Sequence, residues 1–254
     1  MKINLIKIKS STELKKMKTA GKLLATVFAE VSSYVREGKS TKQIDTFIHN
    51  LICKMNAKPA FLNYHGFPAT TCISINAEVV HGIPKSTRLL KSGMIVGIDV
   101  GLVYDGFYSD CCHTYMIGKV SPKAKKLVKT TEEALLAGIA EMKAGKRLGD
   151  IGYAICRHAK KNGFTVVRDF VGHGIGKSLH EQPQVPNFGK KGTGDMLLDG
   201  MVLAIEPMLN EGRSNVTLKS DNWTVVTVDR KLSAHFEHTV ALIDGKAEIL
   251  TQTG

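Results

Sequence analysis

The sequence predicts an α+β fold built from two related halves. The stretch 93–99 (GMIVGID) recurs 107 residues later as 200–206 (GMVLAIE), and each copy is an apolar strand pattern that follows a glycine and ends in a carboxylate. The same offset relates Gly38-Lys39 to Gly145-Lys146. Each half contains two helical patterns followed by strand patterns, with no linker between them. We therefore expect one domain, 1–254, with an internal repeat of about 11–119 and about 121–250.

The composition is that of an ordinary globular protein without membrane segments. Hydrophobic residues make up 43% of the 254 residues, and no apolar run reaches the roughly 18 residues that a membrane helix needs. Residues 1–7 are basic but lack a long apolar core, so we expect no secretory signal and a cytoplasmic protein. The cysteines are odd in number and have no C-x-x-C spacing, which argues against a disulfide framework and a structural zinc site. They are Cys53, Cys72, Cys111, Cys112 and Cys156.

The net charge leaves one alternative function open. The chain has 35 basic and 23 acidic residues, a net charge of +12, which could direct it toward nucleic acid, the ribosome or acidic partners. The basic residues are scattered rather than clustered with aromatic residues, so we expect a solvated basic surface. We expect a monomer without membrane contacts, whose basic surface is available for a ribosome contact.

Each helix is predicted by its ends and its apolar period. Ser10-x-x-Glu13 is a capping box that opens a helix ending at Gly38, and Ser40-x-x-Gln43 opens a second helix that continues to about Met55. Ser121-Pro122 opens a third helix, with proline at its first position, that runs to about Gly145. A fourth helix begins near Leu148 and ends at Gly163.

The strands of the first half bring two carboxylates together. Residues 71–75 form a strand, a loop surrounds 80–84, and Asp105-Gly106 is a two-residue hairpin signal in the middle of 100–117. With the turn at these two residues, Asp99 lies opposite Cys112, and Asp110 is two residues from Cys112 on the same face. Such diagonal neighbours are about 7–8 Å apart, close enough to share a cation.

The second half repeats this pattern after a glycine-rich stretch. Residues 164–167 read as a strand, and the glycines of 172–176 allow the backbone to pass close to a site that His173 and His180 face. A phosphate-binding loop is excluded, because Val171 stands where the first glycine of that motif is required. Residues 222–228 and 233–242 are predicted to form a hairpin around Asp229-Arg230 that would give Glu237 the place of Asp110.

The repeat therefore predicts a metal centre. Carboxylates converging in a protein interior would repel one another and hold protons unless cations neutralised them. Two divalent ions about 3.5–4 Å apart can share a water and lower its pKa. Manganese, iron, cobalt and zinc all suit carboxylates with one imidazole. The nominated residues are Asp99, Asp110, Glu206 and Glu237, with His173 as the nitrogen donor.

The ordered motifs of the chain resemble those of the bacterial type I methionine aminopeptidases. They cover essentially the whole chain: Tyr64-His65-Gly66, Val80-His81-Gly82-Ile83-Pro84, Asp99, Asp105-Gly106, Asp110, Gly172-His173-Gly174-Ile175-Gly176, His180-Glu181-x-Pro183, Ile205-Glu206-Pro207 and Glu237-His238-Thr239. The resemblance implies the pita-bread fold, with two pseudo-twofold related halves and outer helices on a curved, mainly antiparallel sheet. It also implies removal of the initiator methionine from new proteins, with a preference for a small second residue.

The resemblance also assigns roles to individual residues. It makes the four carboxylates and His173 the ligands of two metals, whose shared water attacks the scissile carbonyl, and it gives Glu206 an acid/base role. It implies that His180 supports the oxyanion and that His81 hydrogen-bonds the scissile amide. Where family members carry phenylalanine and tyrosine, this chain has Leu179 and Phe67. The implied methionine pocket consists of Phe61, Tyr64, Phe67, Cys72, Leu179 and Trp223.

Three other kinds of protein with the same fold are alternatives to a type I methionine aminopeptidase. Relatives on the same fold that cleave before proline or hydrolyse creatine-like amidines usually carry a large extra N-terminal domain, whereas the first helix here begins at about residue 11. The type II form usually has an insertion between its second histidine and first glutamate, but here 25 residues separate His180 from Glu206. Non-catalytic binding proteins on this fold lose metal ligands, and this chain has all five.

Overall fold

The computed structural model describes residues 6–252, within which four α-helices lie against antiparallel sheets. The helices are α1 (Ser11–Tyr34), α2 (Thr41–Lys54), α3 (Pro122–Ile139) and α4 (Leu148–Lys161). The strands are β1 (Lys58–Pro59), β2 (Thr71–Ile75), β3 (Glu78–Val80), β4 (Ile95–Tyr104), β5 (Phe107–Met116), β6 (Thr165–Val166), β7 (Gly172–Gly174), β8 (Glu181–Val185), β9 (Val202–Ile205), β10 (Met208–Asn210), β11 (Val216–Leu218), β12 (Val225–Thr227), β13 (Ser233–His235), β14 (Glu237–Ile243) and β15 (Lys246–Ile249). The prediction that the chain has no secretory signal rests partly on residues 1–5, which lie outside the described residues.

The helix starts follow the predicted capping residues. Both capping boxes are present: the Ser10 hydroxyl accepts the Glu13 amide while the Glu13 carboxylate accepts the Ser10 amide, and Ser40 and Gln43 form the same reciprocal pair. Ser121 caps α3, which begins at Pro122 as predicted. The helix ends were predicted less well, since α1 ends at Tyr34 and α3 at Ile139, each several residues before the glycine expected to stop it.

The main sheet is antiparallel at each of its pairings, in the order β1-β4-β5-β14-β9-β7-β8, with β2 also paired to β4 and β15 to β14. Two smaller sheets have the orders β13-β10-β6 and β11-β12-β3. The predicted α+β class is confirmed. Both halves of the chain contribute to the main sheet, because β5 from the first half pairs with β14 from the second.

The first hairpin is confirmed with its register. Tyr104 pairs with Phe107 across the turn, and Asp99 pairs with Cys112. Asp105 and Gly106 have φ values of 48° and 78°, which is the left-handed pair that a two-residue turn between right-twisted strands requires.

The second predicted hairpin is wrong. β12 pairs with β11 and β3, whereas β13 pairs with β10, and β14 pairs with β5, β9 and β15. The chain does reverse near Arg230, but the two arms bond to a distant segment: the Thr227 amide donates to the Ala77 carbonyl, and the Ser233 amide donates to the Asn76 carbonyl. β3, which was not predicted, therefore pairs with β12 in place of the expected hairpin partner.

The hydrophobic core has a cluster beneath each helix pair. Side chains of α1 and α2, including Leu24, Phe28 and Ile48, pack against β4 and β5. Side chains of α3 and α4, including Leu127 and Ile151, pack against the strands of the second half. None of the helices within residues 6–252 is long and apolar enough to cross a bilayer.

Candidate active site

Five neighbouring strands of the main sheet carry the five nominated metal-binding residues. Asp99 lies on β4, Asp110 on β5 and Glu237 on β14, Glu206 directly follows β9, and His173 lies on β7. Asp99 and Glu237 both pair with Cys112, from opposite sides of β5. The strand order therefore gathers side chains that are up to 138 residues apart (237 − 99) in the sequence.

Every residue that the sequence predicted for the site lines one cavity of about 270 Å³. The five nominated metal-binding residues and His81, His180 and the six apolar residues of the proposed methionine pocket all line it, and His65 is an additional lining residue. Polar and apolar residues thus share one concave surface, an arrangement typical of small-molecule and substrate sites.

His173 presents one ring nitrogen to the carboxylates. Its Nδ1 is 2.9 Å from the Gly174 carbonyl oxygen, which can only accept, so Nδ1 carries the proton. Burial lowers the pKa of His173 to about 3, and the ring is therefore neutral near pH 7. Its Nε2 keeps a lone pair and lies 3.6 Å from Oε1 of Glu206. A neutral imidazole held through its other nitrogen is the form that binds metals.

The four carboxylates are buried against one another. Burial, together with the neighbouring acids, raises the pKa values of Asp99, Glu206 and Glu237 well above their usual range. Burial also raises the pKa of Asp110 to about 7. Without cations, the cluster therefore retains protons at neutral pH, because like charges in a desolvated space disfavour ionisation.

The donor set fits divalent cations. Single donor atoms of Asp110, His173 and Glu237 all lie within 4.8 Å of one another. Oδ1 of Asp99 and Oε1 of Glu237 are buried, and within residues 6–252 neither has a hydrogen-bond partner. A buried carboxylate oxygen without a partner is costly, and bound cations would supply the missing partners.

Hydrogen bonds outside the cavity fix the strands that carry the acids. The Thr239 hydroxyl accepts the Asp110 amide at 2.9 Å and donates to the Asp110 carbonyl at 2.8 Å, which joins β14 to β5 beside the cluster. The Cys111 amide donates to Oδ1 of Asp110 at 3.0 Å and orients that carboxylate. Such supporting bonds hold a binding site in one geometry.

The segment 175–181 carries Leu179 and His180 to the cavity. The Glu181 carboxylate shapes it by accepting the Lys177 and Ser178 amides at 3.0 and 3.3 Å. Lys9 approaches Glu181 at 2.9 Å, and both side chains are almost fully buried. This ion pair attaches the start of the chain to the loop that positions His180.

His180 and His81, the two histidines that the resemblance assigns to the substrate, have different surroundings. Nδ1 of His180 is 2.8 Å from the Tyr64 hydroxyl, and burial raises the pKa of Tyr64, so that hydroxyl keeps its proton. The His81 ring is nearly perpendicular to the rings of Phe170 and Trp223, at centroid distances of 5.7 and 6.4 Å. Burial lowers the pKa of His81 to about 4 and also lowers the pKa of His180. Both rings are therefore neutral near pH 7.

The apolar wall is held by close packing. Phe67 and Trp223 form an edge-to-face pair with ring centroids 5.1 Å apart. Gly101 lies against Phe61, where a Cβ atom would come within 2.6 Å of the Phe61 ring. A larger residue at 101 would thus displace Phe61 from the wall.

Sequence reasoning missed two histidines near the site. His65 belongs to a recognised motif but was given no role; it lines the cavity, and its ring forms a T-shaped pair with Tyr64 at a centroid distance of 4.4 Å. Nε2 of His235 is buried, lacks a hydrogen-bond partner among the described residues, and lies 3.6 Å from Oε2 of Glu206. Its position two residues before Glu237 was the available signal, because alternate residues of an extended chain face the same side.

Comparisons with known proteins agree with this geometry. The model of metallopeptidase family M24 matches residues 15–244. The methionine aminopeptidase of Clostridium perfringens is 47% identical over 97% of this chain and 99% of its own length. A crystal structure of a methionine aminopeptidase from Rickettsia prowazekii has a TM-score of 0.95 at 44% identity, covering 97% of this chain and all of that one. A prolidase from Pyrococcus furiosus, at 23% identity over 97% of this chain and 66% of its own, has a TM-score of 0.77 and shares the fold.

Proposed function

The chain belongs to the methionine aminopeptidases of metallopeptidase family M24, and we propose that it removes the initiator methionine from new proteins by means of two divalent cations. Membership of the family implies an exopeptidase that uses a divalent metal and has the pita-bread fold. The observation that carries the proposal is that five metal-type donors and a set of apolar side chains line one cavity.

We propose that Asp99, Asp110, His173, Glu206 and Glu237 hold the cations, which are manganese, iron, cobalt or zinc. The oxygens of Asp99 and Glu237 that lack partners, and the lone pair of His173, support this assignment. When bound, the cations would supply a Lewis acid for the scissile carbonyl and lower the pKa of water. The cations would also cancel the charge that otherwise keeps protons on the four acids.

Glu206 is the acid/base residue of the proposal. Its carboxylate lies between two neutral imidazoles, with Oε1 3.6 Å from His173 and Oε2 3.6 Å from His235. No lysine or arginine is paired with it among the described residues, so its pKa is free to rise with burial. A carboxyl group with a raised pKa can accept the proton of the attacking water and deliver it to the leaving amine.

His180 is the proposed oxyanion donor, and Tyr64 sets its tautomer. If the protonated Tyr64 hydroxyl donates to Nδ1 at 2.8 Å, the neutral His180 ring carries its own proton on Nε2. The Nε2–H group would then stabilise charge that develops on the carbonyl oxygen. His81, oriented by Phe170 and Trp223, would hydrogen-bond the scissile amide near the leaving nitrogen.

The preference for a small second residue is a further part of the proposal. Tyr64, His65 and His180 line the same cavity, and the Tyr64 ring lies 4.4 and 5.3 Å from the two imidazoles. We place the second residue of the substrate beside these three side chains, where a bulky side chain would have to displace one of them.

One assay tests the proposed function directly. We expect the metal-loaded protein to release free methionine from Met-Gly peptides much faster than from matched Met-Leu peptides, and to release none after chelation. Metal analysis of the loaded sample should show at least two ions per chain. Methionine release that survives complete removal of metal would contradict the metal-dependent mechanism.

The apolar wall predicts the selectivity for the first residue. Because methionine is flexible and fills an aromatic-lined space with many contacts, we expect it to be strongly preferred over lysine or glutamate. Leucine should be disfavoured by only about 1–3 kcal/mol in kcat/KM, the usual range for small changes in apolar shape. Steady-state kinetics on peptides that differ only in their first residue measure both ratios. Equal cleavage of peptides that begin with lysine would show that the pocket is wrongly assigned.

The raised carboxyl pKa values predict that metal affinity depends on pH. Below the Asp110 pKa of about 7, a cation must displace a proton from that carboxyl, so Mn²⁺ affinity should increase with pH. Each displaced proton gives up to about a tenfold increase per pH unit. His173 contributes nothing near pH 7, because its pKa of about 3 leaves it unprotonated there. Calorimetry in buffers of different ionisation enthalpy measures the released protons.

A matched variant checks the origin of this effect. Asp110→Asn removes one titrating oxygen, so it should release fewer protons on binding Mn²⁺ than the unmodified chain. An affinity that is constant between about pH 6 and about pH 8 would show that the carboxylates are already ionised without metal.

A further inference from the structure

A second group of metal-type donors lies on the other face of the main sheet. Cys111 and His113 are alternate residues of β5 and therefore share a face, and His238 on β14 pairs directly with Cys111. One donor atom of each residue lies within 4.8 Å of the others. Sγ of Cys111 is 3.7 Å from Nδ1 of His238.

This group is separated from the active-site cavity by the sheet itself. Asp110 on β5 lines that cavity, whereas Cys111, the next residue, points to the opposite face. The ring of His113 packs against Phe28 of α1 at a centroid distance of 4.5 Å and against Phe236 at 5.9 Å. The lining residues of the active-site cavity include neither His113 nor His238.

Two of the three donors, His113 and His238, line a second cavity, and Cys111 is buried behind them. This cavity of about 300 Å³ lies between α1 and α3. Polar residues at its margin include Ser32, Glu132 and Gln252. This space would allow a cation to enter and a water molecule to complete four-coordination.

We propose that Cys111, His113 and His238 bind a third transition-metal cation, of the Zn²⁺ class, behind the active site. A thiolate with two imidazoles is a donor set that suits Zn²⁺ or Co²⁺ and is unlike the carboxylate-rich set across the sheet. Binding would displace one proton from the buried Cys111 thiol to solvent. His113 needs no deprotonation, because burial lowers its pKa to about 4.

Binding would replace local hydrogen bonds of the free site. Sγ of Cys111 now donates to the Glu237 carbonyl at 3.1 Å, and Nδ1 of His238 lies 2.8 Å from the Thr251 hydroxyl. The cation would join β5 to β14 one residue beyond Asp110 and Glu237. It would therefore link β5 and β14, the two strands that carry these acids, on the opposite face of the sheet.

Co²⁺ titration of the reduced, metal-free protein tests this proposal independently of peptidase activity. We expect a near-ultraviolet thiolate-to-cobalt charge-transfer band, which carboxylates and imidazoles do not produce, and its loss when Zn²⁺ is added. Cys111→Ser should abolish the band. Cys112→Ser, a change of the adjacent buried thiol on the other face, should retain it, as should Cys72→Ser at the active-site cavity.

His113→Gln provides a second arm that leaves the thiol intact. Because the ring is partly exposed, this variant should fold, and its Zn²⁺ affinity at the third site should fall at least about tenfold in competition with a chelating dye. The proposal is overturned if no charge-transfer band forms, if Cys111→Ser retains the band, or if His113→Gln binds Zn²⁺ as tightly as the unmodified chain. Loss of the band in Cys72→Ser alone would assign the thiolate to the active site and would also overturn it.

Discussion

Glu206→Gln is expected to lower kcat for methionine release by about 100-fold or more, which is the usual scale of acid/base assistance. The amide keeps the size of the side chain but cannot accept a proton from the attacking water or return one to the leaving amine. Glu206 lies between the His173 and His235 imidazoles, with no lysine or arginine partner among the described residues, so its carboxylate is available to take up and return a proton. Steady-state kinetics at saturating metal and peptide measure the loss.

The control must separate proton transfer from loss of metal. Glu248→Gln makes the same chemical change on β15, where the side chain is exposed and paired with Lys18, and it should leave kcat unchanged. Metal content should be measured for both variants at the concentrations used for kinetics. A Glu206→Gln variant that binds its full complement of metal and retains more than a tenth of the native kcat would rule out the acid/base role.

The three site histidines are expected to divide into one metal ligand and two substrate contacts. His173→Ala should reduce metal content, since it removes the lone pair that Nε2 presents to the carboxylates. By contrast, His180→Ala and His81→Ala should keep metal and fold while kcat falls by about 10²-fold or more. Each of these removes a hydrogen bond that strengthens only as charge develops in the transition state.

Metal stoichiometry and kinetics on the same preparations test this division. His158→Ala is a suitable control, because that side chain pairs with Glu133 on the outer helices and lines no part of the active-site cavity. It should preserve both metal content and kcat. If His180→Ala loses metal as readily as His173→Ala, His180 is a ligand and the assigned roles are wrong.

Local signals in the sequence determined the elements whose bonds are local. Ser10, Ser40 and Ser121 each cap a helix through bonds to residues three positions away, so their patterns were sufficient to place the starts of α1, α2 and α3. The Asp105-Gly106 turn fixed the register that sets Asp99 opposite Cys112, because a two-residue loop permits only one pairing. The internal repeat then predicted that Glu206 occupies the position in the second half that Asp99 has in the first.

Only the tertiary structure decided which distant strands pair and which side chains this pairing brings together. The arms around Arg230 had the alternating pattern of a hairpin, yet long-range bonds to Asn76 and Ala77 separated them. The placement of His235 beside Glu206 and the position of His238 opposite Cys111 depend on the same non-local pairings. The sequence by itself determined which residue types are available for chemistry. Strand partners far apart in the chain decided their distances, because antiparallel pairing depends on the whole sheet and not on neighbouring residues.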